Sequence, residues 1–272
     1  PLPDTPENRQ DMAAFRSSAR ILDDSIGRIL DALKEKGLDE NTLVICTTDH
    51  GLAMPNMKCS LTDHGTGVFM IMRGPSGFDG GKVMDAMVSH LDVFPTVCEV
   101  AGIEPPERLQ GKSLLPLVTG KADFLHDELF AEVTYHASYE PKRSVRTERW
   151  KYIRRFDREF KNVVLPNCDD STPKSLWLER TDWKESCPGE EQLYDLLLDP
   201  QENCNLAVLP EHAGVLEEMR TRLQNWMEST DDPLLKGDVD LSDEGMMWPQ
   251  NAETLAGPVF GRDGSSRMVP VI

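Results

Sequence analysis

Asp49-His50, followed by Gly51, sets a carboxylate and an imidazole side by side at the end of a continuous apolar, β-branched run from Thr42 to Thr48. In open α/β sheets ligands bind beyond the carboxyl ends of the strands. A carboxylate and an imidazole on a turn freed by glycine can both face one divalent cation, which makes Asp49 and His50 candidate metal ligands. The plainer alternative is a turn in which Asp49 caps the backbone and His50 bonds to a backbone group. Cationic residues concentrate further on, at Lys142, Arg143, Arg146, Arg149, Lys151, Arg154 and Arg155. They read either as a patch for an acidic polysaccharide or as one solvated, salt-bridged strand face. His64 lies close to the Asp49 loop and is a candidate for lining a pocket there, whereas His90 reads as an ordinary histidine at a helix start.

The elements that must position these residues follow from periodicity. Thr5 to Lys36 reads as one amphipathic helix, because Met12, Phe15, Ala19, Leu22, Ile26, Ile29 and Leu33 recur at steps of three and four. Thr5 suits its N-cap, Pro6 its first turn and Gly37 its left-handed stop. The run Thr42 to Thr48 reads as a strand covered on both faces of a parallel sheet, and Val68 to Met72 as a second buried strand. A helix is expected over Val93 to Ala101, stopping at Gly102. From Glu128 the pattern changes to short strands at Leu129 to Tyr135, Lys142 to Thr147, Trp150 to Phe156 and Gln192 to Leu197, as in an antiparallel sheet. A helix over Glu211 to Glu228 presents Val215, Met219, Leu223 and Trp226 on one face. The expected division is 1–125, 126–235 and an extended or partly disordered tail, 236–272.

Composition bounds the function classes. The 272 residues carry 39% hydrophobic and 28% charged side chains, enough for a packed core. A formal charge of −18 argues against nucleic acid as the main partner. A small anionic substrate still fits, since it needs only a local positive site. No apolar run reaches the length of a bilayer span and no signal peptide is visible, so a soluble chain with no membrane partner is expected, its compartment unassigned. The six cysteines contain no C-x-x-C pair. Cys46 and Cys98 read as buried thiols, and Cys168 with Cys187 as a candidate disulfide.

Several segments, in order, resemble the type I sulfatases of the alkaline phosphatase superfamily. Gly37-Leu-Asp-Glu-Asn-Thr-Leu-Val-Ile45 is similar to the approach to that family's metal loop, and Thr48-Asp-His-Gly-Leu-Ala-Met-Pro-Asn-Met-Lys-Cys-Ser-Leu61 to the loop itself. Val68 to Pro75, Val88 to Thr96 with Ala101-Gly-Ile103, and Leu109 to Pro116 resemble the blocks that follow. Leu193-Tyr-Asp-Leu196, with Asp199 to Asn203 and Asn205-Leu-Ala207, resembles the closing strand and turn. The resemblance covers roughly residues 1 to 235. It implies an α/β fold: the C-terminal portion of an alkaline-phosphatase-like α/β sandwich plus a smaller antiparallel sheet with a packed helix. It implies that Asp49 and His50 ligate Ca2+ and that Lys58 contacts the sulfate oxygens as a catalytic and substrate-binding residue. The nine-residue step from Asp49 to Lys58 is similar to the heparan N-sulfatase branch, which makes a sulfated sugar or glycosaminoglycan fragment the expected substrate. Glu132, Tyr135 and His136 resemble the substrate-side edge of the smaller domain, with His136 and His64 as candidate substrate-binding residues.

The family's nucleophile is a formylglycine made from cysteine in a C-x-P-S-R or C-x-A-S-R context, and none of the six cysteines has that context. Asp23-Asp24 resembles the family's N-terminal aspartate pair in composition only, since it falls inside the long helix. The expectation is therefore a hydrolase of sulfate esters or sulfamates whose N-terminal segment, with the formylglycine and the remaining ligands, lies outside these residues, leaving the chain alone inactive. Two alternatives stand beside it: a phosphate mono- or diester hydrolase of the same superfamily, and a non-catalytic subunit that binds sulfated glycans through the basic strand face. Oligomeric state is not legible.

Overall fold

The computed structural model describes residues 3–269, which divide into two compact units. Among the described residues, one comprises Arg9–Asp49 and Val68–Leu129; the other comprises 3–8, His50–Gly67 and 130–269. The division departs from the expected 1–125 boundary in one respect that matters for function. The loop 50–67 groups with the later strands and not with the strand that precedes it.

The chain opens with α1 (Pro6–Glu35). Its N-cap forms as expected: the Asn8 amide donates to Thr5 Oγ1 at 3.2 Å. Gly37 takes the left-handed conformation that ends the helix, with φ 65°. The apolar stripe of α1 does not enter a core among the described residues, since Phe15, Leu22 and Ile29 are exposed.

Two short strands follow, β1 (Val44–Thr47) and, after the four-residue helix α2 (Asp63–Thr66), β2 (Met70–Arg73). They pair antiparallel, Val44 opposite Arg73 and Thr47 opposite Met70, which corrects the expected parallel sheet. The strands are also only half-covered, with Ile71 63% exposed. A continuous apolar run specifies hydrophobic surroundings but not the direction of its neighbour, and the connection between the strands is long enough for either pairing.

Next come α3 (Val93–Ala101) and α4 (Leu115–Val118). Phe78, Leu114, Leu115, Leu117 and Leu125 form the core of this unit, with Leu43, Met70 and Met72 against it. Asp92, fully buried, ties the turn before α3 to the following loop by accepting from the Ser89 amide at 2.7 Å and the Lys112 amide at 2.8 Å. His126 Nε2 lies 2.9 Å from the same carboxylate. His90 Nε2 meets Thr47 Oγ1 at 2.8 Å, so His90 serves structure, as its position suggests.

The other unit is built on a four-stranded sheet, ordered β3 (Leu129–Tyr135), β4 (Tyr139–Arg146), β5 (Trp150–Arg155) and β6 (Glu191–Asp195). β4 pairs antiparallel with β5, and β5 with β6. Before β6 lies α5 (Thr172–Arg180) and after it α6 (Ala213–Ser229). Alternation along the strands divides the sheet into two faces. On one face Val145, Tyr152 and Leu193 pack against Leu216, Met219, Leu223 and Met227 of α6. On the other, Ile153 and Tyr194 pack against Leu61 of the loop 50–67.

The segment 236–272, expected as an extended tail, carries a three-stranded antiparallel sheet over its described part: β7 (Met246–Met247), β8 (Gly257–Gly261) and β9 (Ser266–Val269). Its glycine and proline content reads as punctuation of disorder, but Gly257, Pro258 and Gly261 lie within β8 itself. Residues 270–272 lie outside the described residues. No helix among the described residues is long and apolar enough to cross a membrane. The cysteines are free thiols, so the Cys168–Cys187 bridge does not form: Cys168 is buried and Cys187 exposed.

Candidate active site

Lys58 sits in a loop closed on itself. The Gly51 amide donates to the Gly65 carbonyl at 2.9 Å, the Lys58 amide to the Leu52 carbonyl at 3.0 Å and the Ser60 amide to the Met57 carbonyl at 2.9 Å. The closure needs glycine at both ends. A Cβ on Gly51 would lie 1.8 Å from the His64 carbonyl oxygen, and one on Gly65 would lie 2.2 Å from that of Ser60. Asn56 and Cys59, on either side of Lys58, take left-handed φ of 60° and 62°. The Trp183 indole N–H holds Asn56 by its Oδ1 at 3.1 Å.

The basic residues of the strands grip this loop. Lys142 Nζ donates to the Cys59 carbonyl at 3.2 Å and Lys151 Nζ to the Leu61 carbonyl at 2.9 Å. Asp63, at the loop's far end, receives Lys151 Nζ at 2.8 Å and Arg146 Nε at 3.2 Å. Burial works to raise the Asp63 pKa, but these two cations outweigh it and hold its carboxyl below the usual range. Of the remaining cations, Arg143 is buried on Asp232 at 2.6 Å and Arg149 pairs with Asp195 at 2.7 Å. Of the two readings of the basic cluster, the salt-bridged one describes Arg146 and Arg149, which are already paired with carboxylates.

Lys58 reaches the segment before α5, where its Nζ donates to Asp169 Oδ2 at 2.8 Å and Oδ1 at 3.1 Å. Buried Lys174 fixes that segment by donating to the Cys168 carbonyl at 2.8 Å and to Asp170 Oδ1 at 2.7 Å. His136, just past β3, lies within electrostatic range of Lys58, Asp169 and His50. Its pKa is lowered first by burial and then by the Lys58 ammonium, with His50 adding to the fall and Asp169 opposing it. The imidazole is therefore neutral at neutral pH. Protonating it costs the fold, because the unfolded chain binds that proton more readily, so this contribution to stability is lost as pH falls below 6.5. An NMR titration should place the His136 midpoint below 6.5. Lys58→Ala should move it upward without restoring it fully, since burial remains; an unmoved midpoint would refute the coupling.

The other candidates separate. His64 and Lys58 both line a cavity of about 520 Å3 between the loop, the sheet and the 163–188 segment. His136 is not among its walls, and His64 Nε2 lies 3.1 Å from the Gln201 carbonyl. His50 Nδ1 lies 2.7 Å from the Gly51 carbonyl, an acceptor only, so Nδ1 carries a proton there. Asp49 closes the other unit, where its Oδ1 accepts from the Thr48 hydroxyl at 3.3 Å. Calcium takes about six to eight oxygen ligands. Among the described residues no group of three or more His, Cys, Asp or Glu side chains converges. One carboxylate and one imidazole fall short of that donor set. Cys59, beside Lys58, has its pKa raised by burial, and Cys168 is pushed up to about 11, again first by burial. Both stay thiols near neutral pH, unlike an activated nucleophile. Asp169 escaped the sequence reading because it lies 111 residues from Lys58; its only signal was the Asp169-Asp170 doublet.

Comparison with known proteins identifies the chain's relatives. The Sulfatase family model matches residues 2–103, and the model for the C-terminal part of N-sulphoglucosamine sulphohydrolase matches residues 58–171. An ulvan-active sulfatase from Formosa agariphila is 29% identical over 243 residues, covering 85% of this chain and 40% of that protein. Human N-sulphoglucosamine sulphohydrolase is 30% identical over 258 residues, covering 85% of this chain and 50% of that one. A solved 2-O GAG sulfatase superposes with a TM-score of 0.68 at 25% identity, over 90% of this chain and 49% of its own. The chain spans half or less of the length of these relatives. The neighbours share the α/β sulfatase fold.

Proposed function

This chain belongs to the sulfatase family, and from that premise we propose that it supplies the sulfate-facing wall of a sulfated-sugar hydrolase. The observation that carries the reading is the placement of Lys58: an ammonium on a glycine-locked loop, held by Asp169, with His136 within electrostatic range. When an S–O or S–N bond breaks, negative charge grows on the sulfuryl oxygens, and a fixed ammonium stabilises it without reorganising. His136, neutral, can hydrogen-bond the sugar or the leaving group. Asp49 and His50 would hold two positions of a divalent cation, which supplies Lewis acidity when bound. None of the six cysteines stands in a C-x-P-S-R or C-x-A-S-R context, so these 272 residues supply no formylglycine on this reading. Relatives named for ulvan and N-sulphoglucosamine support a sulfated sugar as the substrate class.

The test has two arms. The 272 residues alone should bind Ca2+ no more tightly than about 1 mM, the weak end for protein sites, and should release no sulfate from sulfated mono- or disaccharides. Micromolar calcium binding or robust turnover by this chain would overturn the division of labour. Protein competent for turnover should release sulfate from a sulfated-sugar panel; release only of phosphate from phosphate esters would overturn the substrate class.

A further inference from the structure

Four of the seven clustered strand cations, Arg143, Arg149, Arg154 and Arg155, have no part in gripping the loop, and one of them, Arg154, opens a second site. Arg154 alternates with Ile153 and Arg155 and so lies on the α6 face of the sheet, opposite the face that carries the Lys58 loop. A cavity of about 680 Å3 lies there, lined by Arg154, Arg158, Arg220 and Lys236 among others, with Phe156, Leu234 and Leu235 as apolar wall. That is an ordinary size for a small-molecule site.

Arg154 and Arg158 lie within electrostatic range of Glu191 and Glu190 on the same wall, but those carboxylates accept their hydrogen bonds from other groups. Glu191, on the wall, is taken by Arg220 at 2.5 Å and by the Tyr152 hydroxyl. Glu190 is taken by Lys161 at 2.7 Å. Lys236 pairs with Asp231 at 2.8 Å, and Asp238 accepts from Tyr139 at 3.4 Å. Arg154 stacks over Phe156, 4.9 Å from the ring centroid, and its guanidinium makes no hydrogen bond or ion pair among the described residues. Neither does that of Arg158, which is exposed. Two guanidinium groups with open donors, beside an aromatic and two leucines, stand in a chain whose formal charge is −18. Solvent ions aside, such a site selects an oxyanion joined to a body with an apolar face.

We propose that this cavity binds the sulfate group of a sulfated sugar, as an anion site on the sheet face opposite Lys58. The guanidinium edges of Arg154 and Arg158 hold the oxyanion, while Leu234 and Leu235 cover the C–H face of the ring. The site goes beyond the hydrolytic reading and does not require it. For a sulfated polysaccharide it supplies a second hold on the same chain, which raises effective concentration without adding to the chemistry.

The experiment is calorimetric titration of the 272-residue chain carrying Lys58→Ala, which removes the other sulfate-facing cation, with a trisulfated heparin disaccharide and separately with inorganic sulfate. The disaccharide should bind, more weakly as salt rises, with inorganic sulfate as competitor. Adding Arg154→Gln with Arg158→Gln should weaken binding by at least about tenfold. Arg158→Gln alone, at an exposed position, should weaken it by about threefold or more with the unfolding midpoint unchanged, which separates loss of the site from loss of the fold. No binding, binding indifferent to both arginines, or binding that sulfate cannot displace would each overturn the proposal. Failure here leaves the Lys58 reading standing, and failure of the turnover assays leaves this site standing.

Discussion

Asp63→Ala should destabilise the unit that carries the candidate site by about 3 kcal/mol, the lower end for breaking a buried ion pair, because the carboxylate itself is partly exposed. The cost arises mainly from what is left behind. Lys151, 2% exposed at its side chain, would keep the Leu61 carbonyl and Thr66 hydroxyl as hydrogen-bond partners, with the Glu202 carboxyl in electrostatic range. Urea unfolding of Asp63→Ala measures this, and adding Lys151→Met should recover part of the loss, since the stranded charge goes with it. A loss below about 1 kcal/mol, as for surface pairs, would refute the anchoring role. The same pair predicts acid sensitivity. A carboxyl held below its ordinary 3.8 contributes stability that is complete above that value and lost as pH falls through the lowered one. Glu202, whose Oε2 accepts from the Asp63 amide at 2.5 Å, works oppositely, because burial raises its pKa.

This anchoring explains what the sequence could and could not say. The loop could be singled out in the sequence because its parts are contiguous: an apolar strand, Asp49-His50-Gly51 and Lys58 within one short stretch. Helix α1, its Thr5 cap and its Gly37 stop were legible for the same reason, as local periodicity and local capping. The strands β3 to β6 and helix α6 were also legible, since alternation and helical spacing are local patterns. The pairing of β1 with β2 was not, because apolar content does not encode strand direction. The partner of Lys58 was not, since Asp169 arrives from another part of the chain. The basic strand residues were visible but open to misreading as a surface. Alternation gave Lys142, Arg146 and Lys151 one shared face, and only the fold shows that this face is covered by the loop, whose carbonyls and carboxylate consume the charges. The same alternation sends Arg154 to the opposite face, where Glu191 lies within electrostatic range but accepts its hydrogen bonds from Arg220 and Tyr152.

Lys58→Ala should have the largest effect on turnover: a loss of about 10²–10³-fold in kcat, the range for removing one preorganised oxyanion donor, with a smaller change in KM. The split follows from where the charge is needed. Sulfate in the ground state already carries its charge and is held by several groups, whereas the increment that develops on the sulfuryl oxygens is met only by groups fixed in advance. Lys58 is fixed in this sense from two sides, by its amide on the Leu52 carbonyl and by its Nζ on Asp169. Lys58→Arg should recover activity incompletely, because a planar fork does not reproduce a point charge at the same distance. Asp169→Asn should leave the ammonium in place but less constrained, and so lower kcat by less than Lys58→Ala does. Steady-state kinetics of the three variants in turnover-competent protein decide the matter. If Lys58→Ala raised KM and spared kcat, the lysine would serve uniform binding, not the transition state, and Asp169 would be a competitor of the substrate sulfate and not the group that aims the charge at it.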